Sequence, residues 1–129
     1  MKLKVDGFWY LASPYSGTPD EMEWRAFEAK WFMGQLLTKE GIITYSPIWS
    51  MHHISQTHAL PKDAEYWARF NNLWMDLSIG TIVACMPGWQ TSVGVMSEID
   101  YTLVTGKPVR YATRVDGVDW IMVSEDYAS

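Results

Sequence analysis

The sequence predicts an α/β domain in which helices cover both faces of a parallel β-sheet. Short runs rich in β-branched and aromatic residues alternate with longer segments in which apolar residues recur every three or four positions. Glycine or proline follows most of these segments and ends them. The resulting order of elements, β-α-β-α-β-α-β, is typical of parallel strands joined by right-handed helical crossovers.

The first predicted strand covers residues 8–12, and a loop covers residues 13–17. Ligands of parallel α/β sheets bind beyond the carboxyl ends of the strands, where this loop would lie. The strand and the loop therefore supply four candidate site residues: Tyr10, Ser13, Tyr15 and Ser16. Tyr10 could equally be a buried strand aromatic whose hydroxyl group has a structural partner.

The first predicted helix begins near the acidic residues Asp20 to Glu23, which suit the positive end of a helix dipole, and it ends at Gly41. An apolar stripe on this helix is expected to pack on the sheet: Met22, Ala26, Ala29, Met33, Leu36 and Leu37. Three aromatic residues form a second stripe beside it: Trp24, Phe27 and Trp31. A helix that is apolar on two sides predicts a homodimer or a higher homo-oligomer.

The second predicted strand covers residues 42–46, and Pro47 follows it. A long polar stretch, residues 48–62, comes next, and it contains Trp49 and the three histidines His52, His53 and His58. A connection of this length is typical of a functional loop, so we expect a lid. The histidines have neither the i, i+4 spacing of a helical zinc site nor an obvious companion ligand, so no metal is expected.

Asp63 or Ala64 begins the next predicted helix, which runs to about residue 78. Its apolar and aromatic residues fall on two sides: Tyr66, Phe70, Leu73 and Leu77 on one, and Trp67 and Trp74, together with Asn71, on the other. The β-branched run at residues 81–86 predicts a buried third strand, which Pro87 and Gly88 end.

A loop leads from Gly88 to Gly94 into the last predicted helix. Apolar residues recur at every fourth position of that helix: Val95, Ile99 and Leu103. Ser92 and the free N–H groups at the helix start favour an anion such as phosphate. Glu98 lies about six residues further on, beside the packed face. It is either a site carboxylate or a solvated helix carboxylate, with Ser92 as a simple cap.

Gly106 and Pro108 end this helix, and residues 109–111 start a fourth strand. The tail could add a fifth strand through a hairpin at Asp116 and Gly117. A parallel sheet of four or five strands with helices on both faces is flavodoxin-like or Rossmann-like. The first strand is not followed by Gly-x-Gly-x-x-Gly, so a dinucleotide cofactor is not expected.

The totals of the chain, 129 residues with 48% apolar and 19% charged, are typical of one globular domain spanning residues 1–129. The net charge of −5 argues against binding to a nucleic acid polymer. No apolar run reaches the length of a membrane span, and Asp6 and Pro14 interrupt the region where a secretory signal would lie. The one cysteine, Cys85, favours a cytoplasmic location.

Three motifs occur in order along residues 7–112. The longest is Gly88-Trp89-x-x-Ser92-x-Gly94-x-x-x-Glu98, followed by Gly-Lys-Pro-Val from Gly106. The other two are Trp-Tyr-Leu-Ala-Ser-Pro-Tyr-Ser at residues 9–16 and Tyr-Ser-Pro-Ile at residues 45–48. Together they resemble the nucleoside 2-deoxyribosyltransferase superfamily, and most closely its small bacterial and phage branch. They are also similar to the 2'-deoxynucleoside 5'-monophosphate N-hydrolases.

The resemblance implies an enzyme that cleaves the N-glycosidic bond of a (deoxy)nucleoside or its 5'-monophosphate, or transfers the sugar to another base. In such an enzyme, a carboxylate below C1' stabilises the positive charge of the breaking bond and then bonds to the sugar. Glu98 matches that nucleophile, and Tyr10 matches the family's tyrosine beside it. The resemblance implies neither a metal nor an organic cofactor.

The family also places a second carboxylate on the third helix, where it acts on the base or on the attacking group. Asn71 occupies the matching position in this sequence. The nearest acid, Asp76, would point about 140° away around the helix. Either Asp76 takes the role through a shifted helix, or the acid is missing.

The first loop, the expected lid and the three motifs together make nine residues candidates for substrate binding: Ser13, Tyr15, Ser16, Pro47, Trp49, Gly88, Trp89, Ser92 and Gly94. The aromatic rings of the expected lid would stack on the base. The short chain and Ser92 favour hydrolysis of a 5'-monophosphate. The alternative is a non-catalytic module that binds a nucleotide or senses a nucleotide signal, which Asn71 favours. A third hypothesis is an interaction protein that uses the aromatic stripe of the first helix.

Overall fold

The computed structural model describes residues 2–115 and 121–126. The helices and strands follow one another in this order: β1 (Lys4–Ala12), α1 (Pro19–Glu40), β2 (Ile42–Tyr45), α2 (Pro47–His58), α3 (Ala64–Leu77), β3 (Thr81–Ala84), a 3₁₀ turn (Trp89–Thr91), α4 (Val93–Val104), β4 (Val109–Arg114) and β5 (Ile121–Ser124).

The strands form one five-stranded sheet in the order β2-β1-β3-β4-β5. Strand β1 is parallel to both β2 and β3, and β3 is parallel to β4. Strand β5 runs antiparallel to β4 at the edge. The prediction of an α/β fold with a flavodoxin-like or Rossmann-like sheet is therefore confirmed.

Helices cover both faces of this sheet, as predicted. On one face, α3 and α4 bury apolar side chains against β1, β3 and β4: Met75, Val95 and Ile99 against Tyr10, Ala12, Val83 and Val109. On the other face, α1 packs Phe32 and Leu36 against Leu11, Ile82, Ala112 and Ile121. Strand β3 is buried at every position because both layers cover it, which explains its unbroken apolar sequence.

Capping residues mark both ends of α1. Thr18 and Glu21 form a capping box at its start, and Gly41 adopts a left-handed conformation with φ 68° at its end. The predicted apolar stripe is correct for Ala26, Ala29 and Leu36. It is wrong for Leu37, which is exposed, because the helix turns Phe32 and Gln35 toward the sheet instead.

The prediction of a long irregular lid at residues 48–62 is wrong, because most of that stretch is helix α2. Ser46 caps this helix, since its hydroxyl oxygen accepts the N–H of Trp49 at 3.0 Å, and Pro47 occupies the first turn. Only Pro47 and His52 are buried within α2. The helix therefore lacks an apolar stripe by which the sequence could reveal it.

The other boundaries differ from the predictions by a few residues. Strand β1 begins at Lys4 rather than at residue 8, and β4 continues to Arg114. The predicted antiparallel pairing of the tail is confirmed by β4 and β5, whereas Asp116 and Gly117, the predicted turn, lie outside the described residues. Among the described residues, no helix combines the length and the apolar character needed to cross a bilayer.

Candidate active site

Glu98 lies in the second turn of α4, on the side that faces α3. Ser92 starts the helix, and its hydroxyl oxygen accepts the N–H of Val95 at 3.2 Å. Val95 and Ile99 bury their side chains on the sheet on either side of Glu98. The hydroxyl of Thr102 donates to the Glu98 carbonyl at 2.7 Å and contacts Thr81 of β3 at 2.7 Å. These contacts fix the rotation of the helix and so direct the half-buried Glu98 side chain toward β1.

The Tyr10 side chain of β1 meets the Glu98 side chain. Tyr10 is fully buried between β2 and β3, and its hydroxyl group donates a hydrogen bond to Glu98 Oε2. Burial raises the pKa of Tyr10 well above its ordinary value, and the nearby Glu98 charge raises it further. Tyr10 is therefore a neutral hydrogen-bond donor at physiological pH.

The environment of Glu98 favours the protonated acid more than water does. Burial raises the pKa of Glu98 to about 7, against the opposing effect of the Tyr10 hydrogen bond, which lowers it. At neutral pH the group is thus present both as carboxylate and as acid. A buried carboxyl group with a shifted pKa and a specific donor is typical of a catalytic site.

Asn71 of α3 is the third member of this cluster. Its side-chain N–H lies 3.5 Å from Glu98 Oε2, the same oxygen that Tyr10 binds. Its other side-chain atom, Oδ1, is buried and has no hydrogen-bond partner among the described residues. Buried polar atoms without a partner are rare in proteins. Asn71 Oδ1 is therefore an acceptor that is available to a ligand beside Glu98.

The other candidate on α3, Asp76, does not join the cluster. Its exposed carboxylate accepts a hydrogen bond from the Tyr101 hydroxyl at 2.6 Å, one turn further along α3 and α4. Lys107 Nζ donates to the carbonyls of Met75, Asp76 and Ser78 at 2.8, 2.6 and 2.7 Å, where it caps the carboxyl end of α3. Asp76 and Lys107 thus stabilise the helix end, and Asn71 occupies the position beside Glu98.

The β1–α1 loop contributes a free hydroxyl and a fixed carbonyl. Ser13 is buried, and its Oγ has no hydrogen-bond partner among the described residues. Tyr15 is held away from such a role, because its hydroxyl lies 2.7 Å from His52 Nδ1. The Ser16 carbonyl accepts a hydrogen bond from the guanidinium of Arg25. Ser13 therefore remains a candidate for binding a ligand, whereas the Tyr15 hydroxyl is already paired with His52.

The predicted site residues after β3 differ in their exposure to solvent. Trp89 is only 8% exposed and packs in the core beside Tyr111, with ring centroids 5.6 Å apart. This burial leaves no face of Trp89 for stacking on a ligand. Gly88 adopts φ 88°, a conformation that glycine allows, and Gly94 lies exposed in the first turn of α4.

The two predicted substrate residues of α2 are held by packing. Pro47 is buried in the first turn of α2. Trp49 faces α1, since Lys30 Nζ lies 4.9 Å from its ring centroid, and it also contacts the His53 ring at 5.9 Å. Both residues thus have a packing environment.

A known protein family matches most of the chain. A family model matches residues 7–113, and it describes a domain of unknown function, DUF1937. The chain belongs to the DUF1937 family. No curated protein is significantly similar to it. The matched span of this DUF1937 domain contains Tyr10, Asn71 and Glu98 and ends within β4.

The structure of the DUF1937 domain adds an aromatic pair that the sequence reasoning missed. Tyr45 of β2 stacks on Trp74 of α3, with ring centroids 4.0 Å apart and an angle of 15°. Tyr45 lies opposite Tyr10 in the sheet register, so the pair adjoins the Glu98 cluster. The only sequence signal was that Tyr45 belongs to one of the three motifs.

Arg25 is the second residue of the DUF1937 domain that the sequence reasoning missed. Its guanidinium binds the Ser16 carbonyl, and Nη2 lies 3.6 Å from the position that a Cβ on Gly88 would occupy. Arg25 therefore joins the loop after β1 to the loop after β3 at the carboxyl end of the sheet. It brings a positive charge to Gly88, four residues before Ser92, the start of α4, where an anion is favoured.

Proposed function

We propose that the protein cleaves the N-glycosidic bond of a (deoxy)nucleoside or its 5'-monophosphate, with Glu98 as the nucleophile. The observation that supports this proposal most is the buried hydrogen bond between Tyr10 and Glu98 at the carboxyl end of a parallel sheet. The raised pKa of Glu98, about 7, and the free acceptor on Asn71 also support it. The motifs that resemble the nucleoside 2-deoxyribosyltransferase superfamily include both Tyr10 and Glu98.

In the proposed reaction, the Glu98 carboxylate attacks C1' of the sugar. Tyr10 and Asn71 both hydrogen-bond to Oε2, so Oε1 is the oxygen that forms the new C–O bond. The C1'–N bond breaks, and its electron pair leaves with the base. Water then attacks C1', breaks the ester bond to Glu98, loses a proton to the solvent and so releases Glu98 as a carboxylate. Attack by a second base instead of water would make the same intermediate a transferase intermediate.

The base must gain a proton as it leaves, and Asn71 is poorly suited to supply that proton. An amide such as Asn71 can hydrogen-bond to the base, but it cannot supply a proton at neutral pH. We therefore propose that water protonates the base while Asn71 Oδ1 accepts a hydrogen bond from the substrate. General acid catalysis typically contributes about 10²- to 10⁴-fold, so the reaction is expected to be slow.

Arg25 and the start of α4 support a 5'-monophosphate as the substrate. Arg25 places a guanidinium group beside Gly88, four residues before Ser92, which caps the start of α4. The stacked rings of Tyr45 and Trp74 offer an apolar wall for the base on the α3 side of Glu98. The expected cytoplasmic location, where nucleotides are abundant, agrees with this substrate.

We also propose that the protein forms a homodimer or a higher homo-oligomer. Helix α3 leaves an apolar stripe uncovered, since Leu73 is 60% and Leu77 65% exposed, with Tyr66 on the same side. Helix α1 exposes a smaller patch, Trp24 and Phe27. Size-exclusion chromatography with light scattering tests the assignment. Leu73→Glu should give monomers and Phe27→Glu should not, whereas the reverse result would place the interface on α1.

A second candidate function is a module that binds a nucleotide without cleaving it. The observation that favours it is Asn71, an amide where a proton-donating acid would assist release of the base. In this case Tyr10 and Asn71 would hold Glu98 as a hydrogen-bonding group for the sugar rather than as a nucleophile.

One experiment separates the two functions. The protein is incubated with a panel of nucleosides and deoxynucleoside 5'-monophosphates, and free base is measured by chromatography, with Glu98→Ala as the control. A thermal-shift assay on the same panel reports binding. Base release that disappears in Glu98→Ala supports the glycosidase. A thermal shift without base release supports the binding module. The absence of both a thermal shift and base release would contradict both candidate functions.

A further inference from the structure

Two consecutive histidines converge on one carboxylate between α1 and α2. Glu23 extends from α1, and its Oε2 lies 2.5 Å from His52 Nε2. Its Oε1 lies 3.7 Å from His53 Nε2. Neighbouring residues on a helix point about 100° apart, yet these two imidazole rings are only 4.9 Å apart between centroids. One donor atom from each of the three residues lies within 4.8 Å of the others.

We propose that Glu23, His52 and His53 bind a divalent zinc ion. Imidazole nitrogens and a carboxylate oxygen are ordinary zinc ligands, and three protein ligands with an open fourth position is a common arrangement for this ion. The ligands come from α1 and α2, whereas the Glu98 cluster is built from β1, α3 and α4. The zinc site is therefore a second site, and it does not depend on the proposed glycosidase activity.

The three ligand atoms lie within 4.8 Å of one another, so side-chain rotations that move them by about 1–1.5 Å are needed to reach a zinc geometry. Zinc lies about 2.0–2.2 Å from nitrogen and oxygen ligands, which separates the ligands of a tetrahedral site by about 3.4 Å. The contact between His52 and Glu23 at 2.5 Å must therefore lengthen by about 1 Å, and the contact between His53 and Glu23 is already close to this value. Glu23 and His53 are each 60% exposed at the side chain and are free to make this change.

The buried histidine already has the outer partner that a zinc ligand needs. His52 is buried, and its Nδ1 lies 2.7 Å from the Tyr15 hydroxyl. Zinc-bound histidines usually donate their second N–H to an oxygen, which fixes the ring and its tautomer. With Nε2 on the ion, Nδ1 would carry the proton and donate it to the Tyr15 oxygen.

The sequence alone could not reveal this group, because its carboxylate comes from another helix. The spacing of His52, His53 and His58 offered no companion ligand. Packing of α1 against α2 supplies one at Glu23 and leaves out the exposed His58. His58 thus provides a matched control on the same helix.

Isothermal titration of tag-free, chelator-treated protein with zinc chloride tests the proposal. Wild type and His58→Ala should each bind one equivalent of zinc, and binding should raise the melting temperature. His53→Ala and Glu23→Gln alter exposed side chains and should weaken binding at least about tenfold, as should Tyr15→Phe through the outer hydrogen bond. Because His52 is buried, its substitution is not needed for the test.

Two results would overturn the proposal. One is the absence of saturable one-to-one binding to the wild-type protein. The other is zinc binding that His53→Ala and Glu23→Gln leave unchanged, or that His58→Ala weakens as much as they do. Far-ultraviolet circular dichroism of each variant confirms that it is folded. Neither overturning result bears on base release at Glu98, so the two proposals succeed or fail separately.

Discussion

Tyr10 and Glu98 are 88 positions apart in the chain, yet the Tyr10 hydroxyl donates a hydrogen bond to the Glu98 carboxylate. The fold creates this contact by placing strand β1, the second strand of the sheet, beneath the start of α4. Because the bond lies in a largely buried setting, it orients the carboxylate and partly offsets the cost of burying its charge.

The pH dependence of the proposed reaction should follow the ionisation of Glu98. A nucleophilic carboxylate must be ionised, and burial raises the pKa of Glu98 to about 7. We expect kcat/KM for base release to rise about tenfold per pH unit below pH 7 and to level off above it. Tyr10→Phe removes the hydrogen bond that lowers this pKa, so the inflection should move to higher pH. An inflection at the ordinary glutamate value, about 4.3, would contradict the account.

The same raised pKa predicts a pH-dependent cost to stability. Below pH 4.5, the ordinary value, Glu98 is protonated in the folded and the unfolded chain alike. As the pH rises toward 7, the unfolded chain releases the proton first. Ionisation therefore favours unfolding, by a free energy on the order of 3 kcal/mol at most above pH 7.

Glu98→Gln removes this cost and keeps an acceptor for Tyr10. Urea unfolding should show that the variant is more stable than wild type at pH 8 by about 1–3 kcal/mol, and that the difference shrinks toward pH 5. Asp100→Asn, at an exposed position of the same helix, should show no such pH dependence. A Glu98→Gln effect that is equal at both pH values would mean that the Glu98 pKa is not raised.

Asn71 and Asp76 should respond differently to substitution. Asn71→Ala removes a donor to Glu98 and a free acceptor, so kcat for base release should fall about tenfold or more. Asp76→Asn alters only the contact with Tyr101 and should leave kcat within about twofold. The opposite ranking would show that α3 moves to bring Asp76 into the site.

Asn71→Asp should supply the missing acid. The new carboxyl group would share the neighbourhood of Glu98, and one of the two would stay protonated because like charges repel. Base release should then become at least about tenfold faster, and its pH profile should become bell-shaped. A variant that is no faster at any pH would indicate that release of the base does not limit the rate.

Arg25 should determine the preference for a 5'-phosphate. Arg25→Ala removes the guanidinium beside Gly88, so KM for the monophosphate should rise about 10- to 100-fold while KM for the matching nucleoside changes little. Arg69→Ala, an exposed arginine on α3, is the control for net charge. Equal effects of both substitutions on the monophosphate would mean that the phosphate is not bound at Arg25.

The sequence was sufficient for the sheet and for three of its helices, because their signals are local. Continuous apolar runs mark β1 and β3, and apolar spacing marks α1 and α4, together with the acidic start of α1 and the cap at Ser92. Helix α2 was missed because it packs mainly through one histidine, His52, against α1. A helix without an apolar stripe is indistinguishable from a polar loop in sequence.

Part of the candidate site was also predictable, because some of its residues have local sequence signals. Tyr10 and Glu98 lie in motifs and at strand or helix positions that face the carboxyl end of the sheet. Arg25, Trp74 and Glu23 gave no signal, since each acts through a partner from a distant part of the chain: Ser16 and the Gly88 loop, Tyr45, and His52. The choice between Asn71 and Asp76 depended on the rotation of α3 relative to α4, which only packing determines.

The most direct test of the central claim is base release by Glu98→Gln on the best substrate of the panel. This variant keeps the shape of the side chain and an acceptor for Tyr10 but lacks a nucleophilic carboxylate. Asp100→Asn, two positions along α4, controls for loss of one negative charge. The account predicts that Glu98→Gln lowers kcat at least about 10³-fold while Asp100→Asn retains wild-type activity. Base release by Glu98→Gln at the wild-type rate would contradict a nucleophilic role for Glu98.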